Sequence, residues 1–149
     1  MPADKNNQRP IPRPAASWVT LVIIGLLAVM MGVAFVLFRP VVLLLPEDQR
    51  FTGMTSDQLK AFNSQLFVWI GMVFRSWGAF AIGLGTMMTA ISATAYRRGD
   101  RWAWWALVGA GIPTFGIFLA VNLLLDSDFK FVIAFIGCAY FWALWHGRH

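Results

Sequence analysis

Few of the 149 residues are of types that could do chemistry, and the most informative is Arg75. It interrupts an apolar run that extends from Leu66 to Ala95, and a guanidinium at the centre of a lipid-exposed helix costs about 2.5 to 3.5 kcal/mol on insertion scales. Such a cation needs a partner, an anion or a route to the surface. At 1.5 Å per residue, Asn122 and Asp126 lie roughly 32 and 38 Å along the next apolar run from Arg101, at the depth of Arg75. The first expectation is a structural pair: Arg75 meets Asp126 or Asp128, or hydrogen-bonds Asn122, and locks two helices together. The second is a polar anchor of Arg75 and Asn122 for an anion or a lipid headgroup. Snorkelling of Arg75 to the membrane surface is the third.

The other reactive residue types are isolated. Cys138 stands alone halfway along the last apolar run, where it reads as a small buried apolar residue rather than a reactive thiol. His146 and His149 close the chain with no Cys or acid beside them, which predicts no metal site, and no imidazole sits mid-span to hold a haem. The middle of every apolar run lacks Asp, Glu, Lys and His, the usual groups of a proton relay or ion-coupled transporter. No G-x-S-x-G, H-E-x-x-H, P-loop or dinucleotide fingerprint occurs, and Gly83-Leu84-Gly85 lies inside an apolar helix rather than a phosphate cradle. The expectation is a non-enzyme with no catalytic residue, cofactor or metal.

The elements that would position these residues are set by composition. Hydrophobic residues make up 58% of the chain and charged residues 13%, with a mean hydropathy of +0.63, far from soluble usage. The expected fold is all-α, a bundle of four transmembrane helices. Its spans lie at about 18–38, 66–96, 102–125 and 129–146, within one domain over 17–149, and 1–16 is expected to be a disordered cytoplasmic tail rich in proline. The stretch 66–95 is roughly 45 Å long as a helix, more than a bilayer needs, so its beginning must protrude. Thr55-Ser56-Asp57-Gln58 reads as a capping box opening a short amphipathic extension into that span. Pro113 is expected to bend the third helix, and the fourth is close to the lower limit for spanning. Short loops at 97–101 and 126–130 predict that helices two, three and four are antiparallel neighbours.

Charge then orients the bundle. The formal net charge is +5, but the basic residues sit at the ends of apolar runs rather than on one face with stacking partners, which excludes a nucleic-acid binder. One side takes Lys5, Arg9, Arg13, Arg97, Arg98, Arg101 and Arg148, and the other takes Arg39, Arg50, Lys60 and Lys130, so both termini are expected in the cytoplasm. Tryptophans 18, 102, 104, 105, 142 and 145 would form the belt at that interface. On the other side the connection from Arg39 to about Ser64 carries Val41 to Leu45, too short to span and too apolar for water. It is expected to lie in the interface or cap the bundle.

Small residues recur every four positions at Ala81, Gly85, Thr89 and Ala93, a ridge along which another helix approaches closely, within this bundle or from a second chain. The hydroxyls of Thr86, Thr89, Ser92 and Thr94 are expected to bond back to their own helix. Finally, Arg75-Ser76-Trp77-Gly78, Ile82-Gly83-Leu84-Gly85 and Tyr96-Arg97-Arg98-Gly99-Asp100-Arg101-Trp102-Ala103-Trp104-Trp105 resemble the second hairpin of small uncharacterised bacterial membrane proteins with four helices, and more distantly the DoxX-like proteins. The resemblance implies that fold and the bacterial inner membrane. It brings no reaction with it, because the group has no activity that carries over residue by residue; DoxX-like proteins are linked to redox and thiol stress, for which this chain offers only Cys138, without a second thiol or a cofactor motif. The partners expected are the lipid bilayer and either another membrane-protein subunit or a second copy. The function expected is an accessory or interaction subunit; the alternative is a lipid- or small-molecule-binding protein with an apolar pocket near Arg75 and Asn122, opened by Pro113, Gly109, Gly111 and Gly116.

Overall fold

The protein is described by a computed structural model over residues 12–39 and 41–148; the expectation of a disordered tail therefore falls mostly outside the described residues. Within them the chain is helical, with elements α1 (Ala15–Leu37), α2 (Pro46–Thr52), α3 (Ser56–Phe62), α4 (Ser64–Ile91), α5 (Arg101–Leu124) and α6 (Lys130–His146). A π-helical turn, Ser92–Tyr96, continues α4 to its end. Three helices are long and apolar enough to cross a membrane, Ala15–Leu37, Ser64–Tyr96 and Arg101–Leu124, and Lys130–His146 is a shorter apolar one. Only 22%, 17% and 11% of the apolar windows of the three long helices are buried within the protein. The rest, with Ile23, Met30, Phe80, Ile117 and Phe135 all more than half exposed, requires an apolar surrounding. The protein is a multi-pass membrane protein.

Local chemistry explains where the helices begin and end. Pro14 precedes α1 in an extended conformation (φ −53°, ψ 140°), and its carbonyl accepts from the Ser17 N–H at 3.1 Å. The capping box is formed: the Gln58 N–H donates to Thr55 Oγ1 at 3.2 Å and the Thr55 N–H to Gln58 Oε1 at 2.9 Å. It opens a separate helix, α3, rather than an extension of the span. The chain breaks at Asn63 (φ −157°, ψ 100°), whose side chain accepts from the Leu66 N–H at 3.0 Å and starts α4 afresh. Gly99 turns the chain between α4 and α5 at φ 93°, where a side chain would be strained.

The tightest packing is between α1 and α4. A Cβ added at Gly32 would lie 2.6 Å from the Gly78 carbonyl oxygen, and one at Gly85 would lie 2.5 Å from that of Gly25, so the two backbones touch. Gly25 and Gly32 oppose Gly85 and Gly78 in antiparallel register, and Gly71, Gly78, Gly85 and Ser92 form the buried line of α4 and its π turn. The repeat is seven residues, the period of a left-handed supercoil. The second pair is α5 with α6: the Tyr140 ring lies over Gly111, its hydroxyl donates to the Leu107 carbonyl at 2.6 Å, and Gly137 meets Phe115. α6 also packs on α1.

Helices α4 and α5 differ from the expectation of simple neighbours. They meet at the π turn and through Trp77, whose ring lies 4.3 Å from Phe35 and 5.6 Å from Phe118, while the main partner of α4 is α1. The glycine seam draws α4 to α1 because backbone-to-backbone approach leaves no room for a third helix along the same face. Pro113 leaves α5 an unbroken helix.

Over the end remote from the described termini sits a cap. Leu43, Leu44 and Leu59 are buried against Met54, Leu66, Phe67, Ile70 and Phe74, so Val41 to Leu45 does cap the bundle, with Val41 and Val42 exposed.

Candidate functional site

Arg75, Asn122 and Asp126 are not brought together. Arg75 is exposed and takes part in no ion pair or side-chain hydrogen bond among the described residues. Asn122 is buried, but its amide donates to the Phe118 carbonyl of its own helix at 2.8 Å. Asp126 occupies a left-handed turn position (φ 49°) that points its carboxylate to the surface, and Lys130, one helical turn on, reaches it first. That hydrogen bond, then the Lys130 charge, holds the Asp126 carboxyl below its ordinary value. Asp128 pairs with Arg50 at 2.9 Å.

The arginine that locks the cap is Arg39. Its guanidinium donates to Asp48 Oδ2 and to the Leu43 carbonyl, both at 2.9 Å, and lies 4.3 Å from the centre of the Phe74 ring and 5.2 Å from that of Phe35. Asp48 also accepts from the Leu45 N–H at 2.9 Å, so one carboxylate ties the end of α1 to the start of α2. Buried Glu47 faces the Ser127 hydroxyl, and Arg50 reaches Asp128, fastening the cap to the α5–α6 turn. In the sequence Arg39 is only a charge at a span end; Phe35 stands one helical turn before it, but Phe74 is remote in the chain and gives no signal at short range.

At the opposite end the polar groups close the bundle and leave a cleft. The Tyr96 hydroxyl donates to the Ala143 carbonyl at 3.1 Å, the Trp104 indole to the Leu144 carbonyl at 3.0 Å, and the Arg13 guanidinium to the Gly147 carbonyl, while the Arg13 N–H donates to the Arg97 carbonyl at 3.0 Å. Arg13, Arg101, Trp104, Trp105 and Arg148 line a cavity of about 260 Å³. They come from the segment before α1, the first turn of α5 and the turn after α6, which α1–α6 and α5–α6 packing bring side by side. Arg148 lies 5.4 Å from the Trp104 ring and 5.9 Å from the Trp145 ring. Among the described residues, Asp100 is the acid at this end, and it faces Arg98 at 3.5 Å. The sequence signal was the excess of arginine over acid, read there as orientation.

Of the small-residue ridge, Gly85 and Thr89 meet Gly25 of α1, and Ala81 and Ala93 are half-buried. The line in closest contact follows the seven-residue spacing instead. Thr86, Thr89 and Thr94 donate to carbonyls four residues back at 2.8, 2.8 and 2.6 Å, whereas the Ser92 hydroxyl is buried with no partner among the described residues. Cys138 is exposed on α6, not buried as its apolar setting suggested, because α6 turns Gly137 and Tyr140 inward. His146 stacks on Trp142 at 5.1 Å, and His149 lies outside the described residues. No family model, curated protein or solved structure matches the chain.

Proposed function

We propose that this chain is a four-span protein of the bacterial inner membrane, both termini in the cytoplasm, that acts as a non-enzymatic accessory or interaction subunit. The observation that carries this reading is the use made of polar groups along the helices. The hydroxyls of Thr86, Thr89, Thr94 and Thr114 and the amide of Asn122 bond back to carbonyls of their own helix and the Tyr140 hydroxyl bonds across to α5, so these polar groups along the helices are taken up by backbone rather than aligned as a path or a substrate site. Around them stands a broad apolar surface, and the cap at one end is braced by Arg39 and Arg50. Kinship with small four-helix bacterial membrane proteins, distantly DoxX-like, belongs to the same proposal and rests on the stretch from Arg75 to Trp105. Native mass spectrometry of the full chain extracted with its surrounding lipid tests the reading: a co-purifying membrane protein or a second copy is expected, and a lone monomer overturns it.

The alternative of a lipid- or small-molecule-binding protein draws no support from Arg75 and Asn122, which share no polar contact among the described residues. Its support is the arginine-lined cleft at the other end.

A further inference from the structure

The cleft between Arg13, Arg101 and Arg148 is the strongest unassigned feature of the molecule. Three arginines from segments far apart in the chain line one cavity, and none of them pairs with a carboxylate among the described residues. Of the three, Arg13 is held in place by its bond to the Gly147 carbonyl and by its backbone link to Arg97, while Arg101 and Arg148 are exposed and free to meet an anion. Arg13 lies 5.7 Å from the centre of the Tyr96 ring, and its Nε is buried with no partner among the described residues. Asp100 opens α5 without a side-chain cap and turns its carboxylate to Arg98, so the first N–H groups of α5 lie uncapped beside Arg101.

The walls specify the kind of anion. Trp104 and Trp105 line the cavity with the arginines, their rings 4.7 Å apart, and Trp102, Trp142 and Trp145 are exposed around the same end of the bundle. Exposed tryptophans at one level mark the plane where headgroups meet acyl chains. Planar guanidinium forks match phosphate oxygens, and a basic pocket between spanning helices at that level suits a lipid phosphate. From these observations we infer that the cleft holds the phosphate diester of an anionic phospholipid, with Arg101 and Arg148 grasping the phosphate and Trp104 and Trp105 against its glycerol and upper acyl chains.

The test is lipid retention by the full-length protein in nanodiscs of dioleoyl phosphatidylglycerol, dioleoyl phosphatidylcholine or an equal mixture, read by native mass spectrometry after release. The mixture is expected to return phosphatidylglycerol in excess. The Arg101→Gln/Arg148→Gln variant, which removes no side-chain hydrogen bond among the described residues, is expected to lose that excess by about 25-fold, roughly fivefold for each arginine near a charged surface. The Arg97→Gln/Arg98→Gln variant carries the same loss of charge outside the cleft and is expected to keep the excess. If the first double variant does not fold, each single glutamine variant is expected to show about a fivefold loss. Equal retention of the two lipids, or an equal loss in both double variants, overturns the site. Displacement of the lipid by millimolar inorganic phosphate, with phosphate binding unchanged in lipid-free detergent, overturns a lipid as the source of the anion. None of these outcomes depends on whether a protein partner co-purifies.

Discussion

Arg39 and Arg75 lie toward the same end of the bundle, and their surroundings give them opposite weight. Arg39 is 11% exposed at its side chain, tied to Asp48 and laid on Phe74, so Arg39→Ala leaves a carboxylate without its cation and two rings without their cover. A loss of about 3 kcal/mol is expected, toward the lower range for breaking a buried pair, measured as the fall in detergent melting temperature. Arg75→Leu removes an exposed group with no ion pair among the described residues and is expected to leave that temperature unchanged. Ser92 offers the reverse case. Its buried, unpartnered hydroxyl makes Ser92→Ala neutral to stabilising, by up to about 1 kcal/mol in the same melt. Asp126 is exposed, and its lowered pKa follows from Lys130. The pair therefore contributes stability above the ordinary aspartate value of about 3.9 and loses it as the pH falls through the lowered folded value. A carbon-detected titration of Asp126 is expected to move back up to the ordinary range in Lys130→Met.

Among the elements, the α1–α4 pair should be the least tolerant of change. An alanine at Gly32 or Gly78 would set its Cβ 2.6 or 2.7 Å from the opposing backbone oxygen, and neither helix can yield without opening the seam. A cost of about 2 kcal/mol or more is expected from either, in the range of overpacked cores, seen as a lower melting temperature and faster proteolysis at the cap. Gly83→Ala is the matched control: nothing lies within 4 Å of its Cβ position, so stability is expected to be unchanged or slightly raised by helix propensity. Helix α4 also shows how far local signals reach. The Thr55 box is written in four residues of sequence and forms where they stand, whereas the Asn63 cap, which breaks the expected extension and starts α4 afresh, appears only in the structure. The partner of α4 is not local information. Ala81, Gly85, Thr89 and Ala93 and the line Gly71, Gly78, Gly85 and Ser92 are both plausible ridges in sequence, and only the presence of Gly25 and Gly32 on α1, in antiparallel register, selects the second.

For the whole molecule, the asymmetry of charge sets the expected orientation. With Cys138→Ala as background, a cysteine introduced by Asp57→Cys is expected to react with an impermeant thiol reagent in intact cells, and one introduced by Arg98→Cys to be spared until the membrane is opened. The opposite pattern would invert the proposed topology. What the sequence by itself determined was the solvent: a chain with 58% hydrophobic residues and uncharged runs of bilayer length has to place those runs in lipid, whichever way they pack. It also determined the start of α3, since a capping box acts within four residues. The tertiary structure alone decided which arginine is bound and which is bare. Arg39 finds Phe74 and Asp48, and Arg13, Arg101 and Arg148 gather around one cleft. Charge and spacing put an arginine at a depth in the bilayer, but the groups that meet it there are supplied by other helices, and which helix faces it depends on where two glycine-lined backbones come into contact.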